Sequence, residues 1–203
     1  ELSVGGIVSD TTSLVVFIGI TIHDALAAIA HSHQTNDGQV DIDLIATTAA
    51  QQMREGLSPT MRSDDGQEGD TFIKEQAALV EGLVRGFYRL VWPSLLTRFP
   101  RIIAIEQELL YHHSGLGFMS KPDLLLADDN DITVYLEYKS TSSKREEWIN
   151  SWATAVQLHS SVRSVKETLG VDVTFVIVQG LYKGYVSYGK QTSPMCYAYF
   201  RKG

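Results

Sequence analysis

The segment from Lys121 to Lys139 constrains the fold of this chain more than any other. Lys121-Pro122-Asp123 leads into an apolar run, the acidic turn Asp128-Asp129-Asn130-Asp131 follows, and Thr133 to Lys139 ends on Tyr135-Leu136-Glu137-Tyr138-Lys139. Apolar runs on either side of a turn rich in Asp and Asn read as a hairpin of two strands. Alternate residues of a strand share a face, so Glu137 and Lys139 project side by side, and the preceding strand brings Asp123 close to both. Two carboxylates and one lysine then meet at a single point.

That grouping has a chemical use. Two acidic oxygens can hold Mg²⁺, a hard cation that keeps several waters and often bridges to phosphate. A neighbouring ammonium can orient or help deprotonate a metal-bound water and offset charge that grows on a phosphate. The chemistry implied is hydrolysis of a phosphodiester. The same residues also occur on ordinary solvated sheet faces, so the hairpin alone leaves both readings open.

The rest of the chain divides in two. Before Pro100 the pattern predicts helices over Ile22–Ala30 and Ile42–Met53, a polar loop over Ser63–Asp70, and a strongly amphipathic helix from Phe72 to Val91 that Pro93 restarts or bends and Pro100 ends. After Pro100 it predicts strands over Ile102–Tyr111, Gly117–Leu126, Thr133–Lys139 and Val171–Gln179. A helix over Glu146–Leu169 lies between the last two, with Gly170 as its left-handed C-cap. Tyr182-Lys183-Gly184-Tyr185 and the aromatic run Tyr197–Phe200 suggest a final hairpin. The fold class expected is α/β: a mixed sheet flanked by helices, with residues 1–100 mainly helical and 101–203 carrying the sheet and the site.

Composition sets the remaining bounds. With 203 residues, 44% hydrophobic and 20% charged, a single compact domain is expected. A net charge of −7 argues against a passive nucleic-acid-binding module. The excess is uneven: residues 1–120 hold seven Lys or Arg against fifteen Asp or Glu, while residues 121–203 hold ten against nine. Cys196 is the only cysteine, which excludes a disulfide, a zinc ribbon or a four-cysteine cluster within this chain. The apolar stretch Leu14–Ile20 is shorter than the roughly 20 residues of a membrane span and has no basic lead-in. A cytoplasmic protein with no membrane partner is expected, and a piece of a longer protein is compatible with a chain beginning at Glu1.

Lys121-Pro122-Asp123, followed fourteen residues after the Asp by Glu137-Tyr138-Lys139, resembles the PD-(D/E)XK nuclease superfamily. Ile105-Glu106-Gln107-Glu108 resembles the strand that carries a further acid in the RecB-like branch, and Gly19-Ile20-Thr21-Ile22-His23 resembles that branch's Gly-x-x-x-His segment. Gln157 falls on the next predicted helix, where such nucleases often place a glutamine. The likeness spans about residues 15–180. It departs at Ser161, where the branch often has an aromatic.

The resemblance implies a restriction-endonuclease-like core and a metal-dependent deoxyribonuclease. Asp123 and Glu137 would be ligands to Mg²⁺ or Mn²⁺, with His23 as a third and Lys139 as the water-activating or charge-stabilising group. Glu106 would orient a water or a ligand; Glu108 is equal to it by strand parity, and the resemblance favours Glu106. Gln157 would hydrogen-bond near the nucleophile. DNA would be the substrate and a helicase or other protein a partner, in repair, recombination, phage or defence settings. Some relatives carry an iron–sulfur cluster, which a single cysteine excludes here. The alternative is a catalytically inactive module of the same fold that binds DNA or a protein in a larger assembly.

Other constellations are weaker. His31-x-His33 and His112-His113 lack partners at zinc spacing and read as exposed loop histidines, while Trp148 and Trp152 read as buried on a helix. Neither a phosphate-binding glycine loop nor a Gly-x-Ser-x-Gly elbow is present.

Overall fold

The computed structural model describes residues 14–57, 69–142, 145–152, 155–188 and 191–202; beyond residue 183 the backbone alone is described. Among these residues, helices α1 (Leu14–Thr35), α2 (Ile42–Gly56), α3 (Gly69–Leu90) and α4 (Trp92–Arg98) precede the first strand. The stripe on α3 is buried as its spacing predicts, through Phe72, Ile73, Ala77, Val80, Leu83, Val84 and Phe87. Pro93 falls in the first turn of α4, where no N–H is needed, so α3 stops at Leu90 and a new helix begins. Asp41 caps α2 by accepting the Leu44 N–H at 2.9 Å.

α1 is longer than its sequence pattern suggests. At 22 residues it is long and apolar enough to cross a bilayer by length and composition, which corrects the reading of Leu14–Ile20 as a short stretch. In the fold it is a core helix, with Ile18, Ile22, Ala25, Leu26, Ile29 and Ala30 buried in the cluster shared by the helices and the sheet. His31 and His33 lie in its last turns, not in a loop, and the His33 ring stands edge-on to Trp92 at 5.6 Å.

The main sheet runs in the order β1 (Arg101–Ile105), β4 (Leu124–Ala127), β5 (Thr133–Thr141), β6 (Val173–Tyr188), β7 (Gln191–Lys202). β5 and β6 are parallel and the other neighbours antiparallel, so the sheet is mixed. The parallel pair is joined through α5 (Arg145–Ser151) and α6 (Val156–Leu169). β6 and β7 form the expected final hairpin, paired from Phe175 opposite Lys202 to Tyr188 opposite Gln191.

Several expected boundaries are corrected. The strand read over Ile102–Tyr111 is β1 and β2 (Leu109–His113), and that over Gly117–Leu126 is β3 (Leu116–Ser120) and β4. The first breaks where Glu106 takes a left-handed backbone (φ 49°), the second at Lys121-Pro122, because proline cannot donate to a ladder. β2 and β3 pair as a separate two-stranded sheet that carries His112 and His113 at the end of β2. The helix read over Glu146–Leu169 is α5 and α6, with Ala155 extended between them (φ −70°, ψ 106°). The loop expected over residues 63–68 lies outside the described residues; Gly69 and Asp70 open α3.

Both faces of the central strands are covered. Leu124, Leu126, Val134, Leu136, Tyr138 and Ile177 join the α1–α4 cluster, whereas Leu125, Tyr135, Val176 and Val178 pack with Trp148, Leu158 and Val165 of α5 and α6. Burial on both sides is why β4 and β5 read as nearly continuous apolar runs. It also fixes the geometry of the site: Glu137 and Lys139 share the face of Tyr135, toward α6, and α1 covers the opposite face.

Gly170 ends α6 at φ 68°, its N–H bonded to Lys166 O, with open space around a would-be Cβ. Gly170→Ala is therefore expected to act through backbone strain alone and to lower the unfolding free energy by about 1 kcal/mol. Urea unfolding of both proteins measures it, and an unchanged midpoint would remove the cap from the account.

Candidate metal centre and carboxylate network

Asp123 lies in the link between β3 and β4 and is 6% exposed. Its Oδ1 stands 3.0 Å from His23 Nδ1, and its Oδ2 accepts the Tyr138 N–H at 2.5 Å. One carboxylate thus ties α1 to the end of β5. Gly19, one turn before His23, faces Ser140: an added Cβ would lie 3.9 Å from its Oγ, an ordinary contact, so space alone does not demand glycine there.

Glu106 reaches the same point from the end of β1. Its N–H donates to Asp123 O at 3.1 Å, its Oε2 pairs with Lys121 Nζ at 2.5 Å, and its Oε1 lies 3.9 Å from His23 Nδ1. Strand parity between Glu106 and Glu108 does not apply, because β1 has ended at Ile105; Glu108 is exposed. One donor atom each from His23, Glu106 and Asp123 lies within 4.8 Å of the others. Ligands around one cation at about 2.0–2.6 Å span such separations.

Glu137 stands beside this cluster on the α6 side of β5 and is 3% exposed. Its Oε2 accepts the Tyr135 phenol; its Oε1 accepts Gln157 Nε2 at 3.1 Å and pairs with Lys139 Nζ at 2.5 Å. The structure therefore brings together all six residues singled out in the sequence, in two adjoining groups: His23–Glu106–Asp123, and Glu137–Lys139–Gln157. Lys121 and Tyr135 complete them. Lys121 was legible only as part of its Lys-Pro-Asp run, and Tyr135 by its parity with Glu137.

Electrostatics couples the two groups. Burial alone would lower the His23 pKa, but the hydrogen bond and charge of Asp123 outweigh it and leave His23 above its ordinary value. Burial raises Glu137, and the charge of Asp123 raises it further, against the lowering effect of Lys139 and Tyr135. Tyr138 is also pushed up, first by burial; its hydroxyl has no hydrogen-bond partner among the described residues, and its ring stands edge-on to His23 and Phe87.

The residues fit a divalent cation. One imidazole nitrogen and two carboxylates suit Mn²⁺ and are compatible with Mg²⁺. Among the described residues, Glu106 Oε1 is buried with no hydrogen-bond donor, the state of an acceptor that a cation would satisfy.

No protein-family model matches the sequence, and no curated protein matches it. Among solved structures, the chain is similar to a protein from Eubacterium rectale provisionally described as an exonuclease, with a TM-score of 0.51 and 11% identity. The match covers 96% of this chain and 61% of that one, so this chain spans less than two thirds of its length. At that identity the likeness shows the fold.

Two outcomes test the centre. Mn²⁺ at about a hundred times its dissociation constant is expected to add about 2.7 kcal/mol to stability, read as a rise in unfolding temperature that Glu106→Gln largely removes. In EDTA, the raised His23 pKa means its protonated pair with Asp123 stabilises the fold fully below the ordinary value of 6.5 and loses that effect as pH rises through the folded value. The urea-stability gap between wild type and His23→Gln should then be wider at about pH 5.5 than at about pH 9. A gap independent of pH would show that the pair contributes no linked stability.

Proposed function

We propose that this chain is a metal-dependent nuclease of the PD-(D/E)XK kind, hydrolysing phosphodiester bonds in DNA. The observation that carries the reading is the meeting of the His23–Glu106–Asp123 donor cluster with the Glu137–Lys139 pair beside β4 and β5. Likeness in fold to a protein provisionally described as an exonuclease supports the nuclease class.

His23, Glu106 and Asp123 would hold Mg²⁺ or Mn²⁺, with Glu137 adjoining. Bound there, the cation would polarise a phosphate oxygen and make a water more acidic. Glu137, itself bonded by Gln157, holds the partly exposed Lys139 ammonium at a defined place, where it can donate to water or face a phosphate. Lys121, half-exposed on Glu106, offsets carboxylate charge at the rim and is placed to meet a strand's phosphates. Without those two ammonium groups, the acids would repel a polyanion. The reading includes a cytoplasmic setting and a helicase or other protein as partner.

Labelled linear single- and double-stranded DNA, incubated with Mg²⁺, Mn²⁺ or EDTA, provides the test. Cutting that needs metal, and that falls about a hundredfold or more in both Asp123→Ala and Lys139→Ala, is expected. A folded, metal-loaded wild type that leaves both substrates intact would favour the non-cutting module.

A further inference from the structure

Tyr135 precedes Glu137 by two residues on the same face of β5 and is 0% exposed. By sequence it is a core aromatic, and its ring does pack in the α6-side cluster. Its hydroxyl does something else. A phenol has one proton to give, and this one goes to Glu137 Oε2. The phenol and the carboxylate are both buried, so the bond is made away from solvent.

The two oxygens of Glu137 are engaged from different elements. Gln157 of α6 binds Oε1, alongside Lys139, and the Tyr135 phenol of β5 binds Oε2. A carboxylate with donors on both oxygens cannot rotate about its Cγ–Cδ bond without breaking one of them.

We propose that the buried Tyr135 phenol fixes the orientation of the Glu137 carboxylate, making Tyr135 a positioning residue for the Glu137–Lys139 pair. The inference rests on the nuclease reading for its catalytic consequence. An ordinary phenol keeps its proton near neutral pH and so can donate there.

The test combines kinetics with a readout that needs no activity. In Tyr135→Phe, kcat on DNA is expected to fall about 10- to 100-fold while KM changes less than about twofold. In metal-free protein the phenol proton should give a far-downfield, slowly exchanging proton NMR signal, absent from Tyr135→Phe. Unchanged kcat in a folded Tyr135→Phe overturns the positioning role and leaves the nuclease reading standing. A wild type that does not cut overturns the nuclease reading, and the NMR signal then decides the Tyr135–Glu137 bond by itself: its presence keeps the positioning contact, its absence removes it.

Discussion

The double engagement of the Asp123 carboxylate is the interaction on which the site depends. One oxygen faces His23 on α1 and the other accepts the backbone N–H of Tyr138 on β5. A backbone donor cannot move without moving the strand, so Asp123 is fixed to the sheet, and His23 is registered against it across the α1 interface. Charge-assisted bonds of this kind are shorter and stronger than neutral ones. The position of α1 over the sheet follows from burial of Ile18, Ile22, Leu26 and Ile29. The rotation of α1 that brings His23 to the site is held by the same helix face.

The architecture draws the candidate site from two helices on opposite faces of the sheet. Strand parity sends Glu137 and Lys139 toward α6, and α1 covers the other face of the sheet. A site assembled on one face alone would lack either His23 or Gln157. Asp123 sits at the strand ends of the sheet, just before the inner strand β4, where both layers can be reached. Glu106 arrives at that point because its left-handed backbone turns the chain out of β1, and its N–H bonds Asp123 O. The turn also launches the β2–β3 hairpin, which returns the chain to Lys121 and the site.

Much of this was legible in the sequence because strands have an unambiguous period. Asp123, Glu137 and Lys139 could be brought together from parity and one turn, and the mixed sheet from the order of apolar runs. Gly170 marked its C-cap because only glycine adopts that backbone freely. The breaks were harder. Glu106 carries no glycine signal for its positive φ, and the apolar residues on both sides read as one strand. The start of α1 was hidden by Gly19 and Thr21, poor helix formers whose cost is overridden by the buried face around them. Tyr135 concealed its role because a strand aromatic satisfies the core pattern whether or not its hydroxyl has work to do.

The occupancy of oxygens distinguishes the two glutamates more sharply than their distances do. Glu137 has donors on both oxygens, from Tyr135 on one and from Gln157 and Lys139 on the other. Glu106 gives Oε2 to Lys121 and keeps Oε1 buried without a donor. A buried acceptor left open is costly unless something fills it, whereas a saturated carboxylate must give up a bond to gain a ligand. The open oxygen is therefore the one that, with His23 and Asp123, could hold a metal ion, and the saturated carboxylate holds the lysine in place. Each acid is matched to a basic partner, Glu106 to Lys121, Asp123 to His23 and Glu137 to Lys139, which lowers the cost of partly burying three neighbouring carboxylates at the end of a sheet.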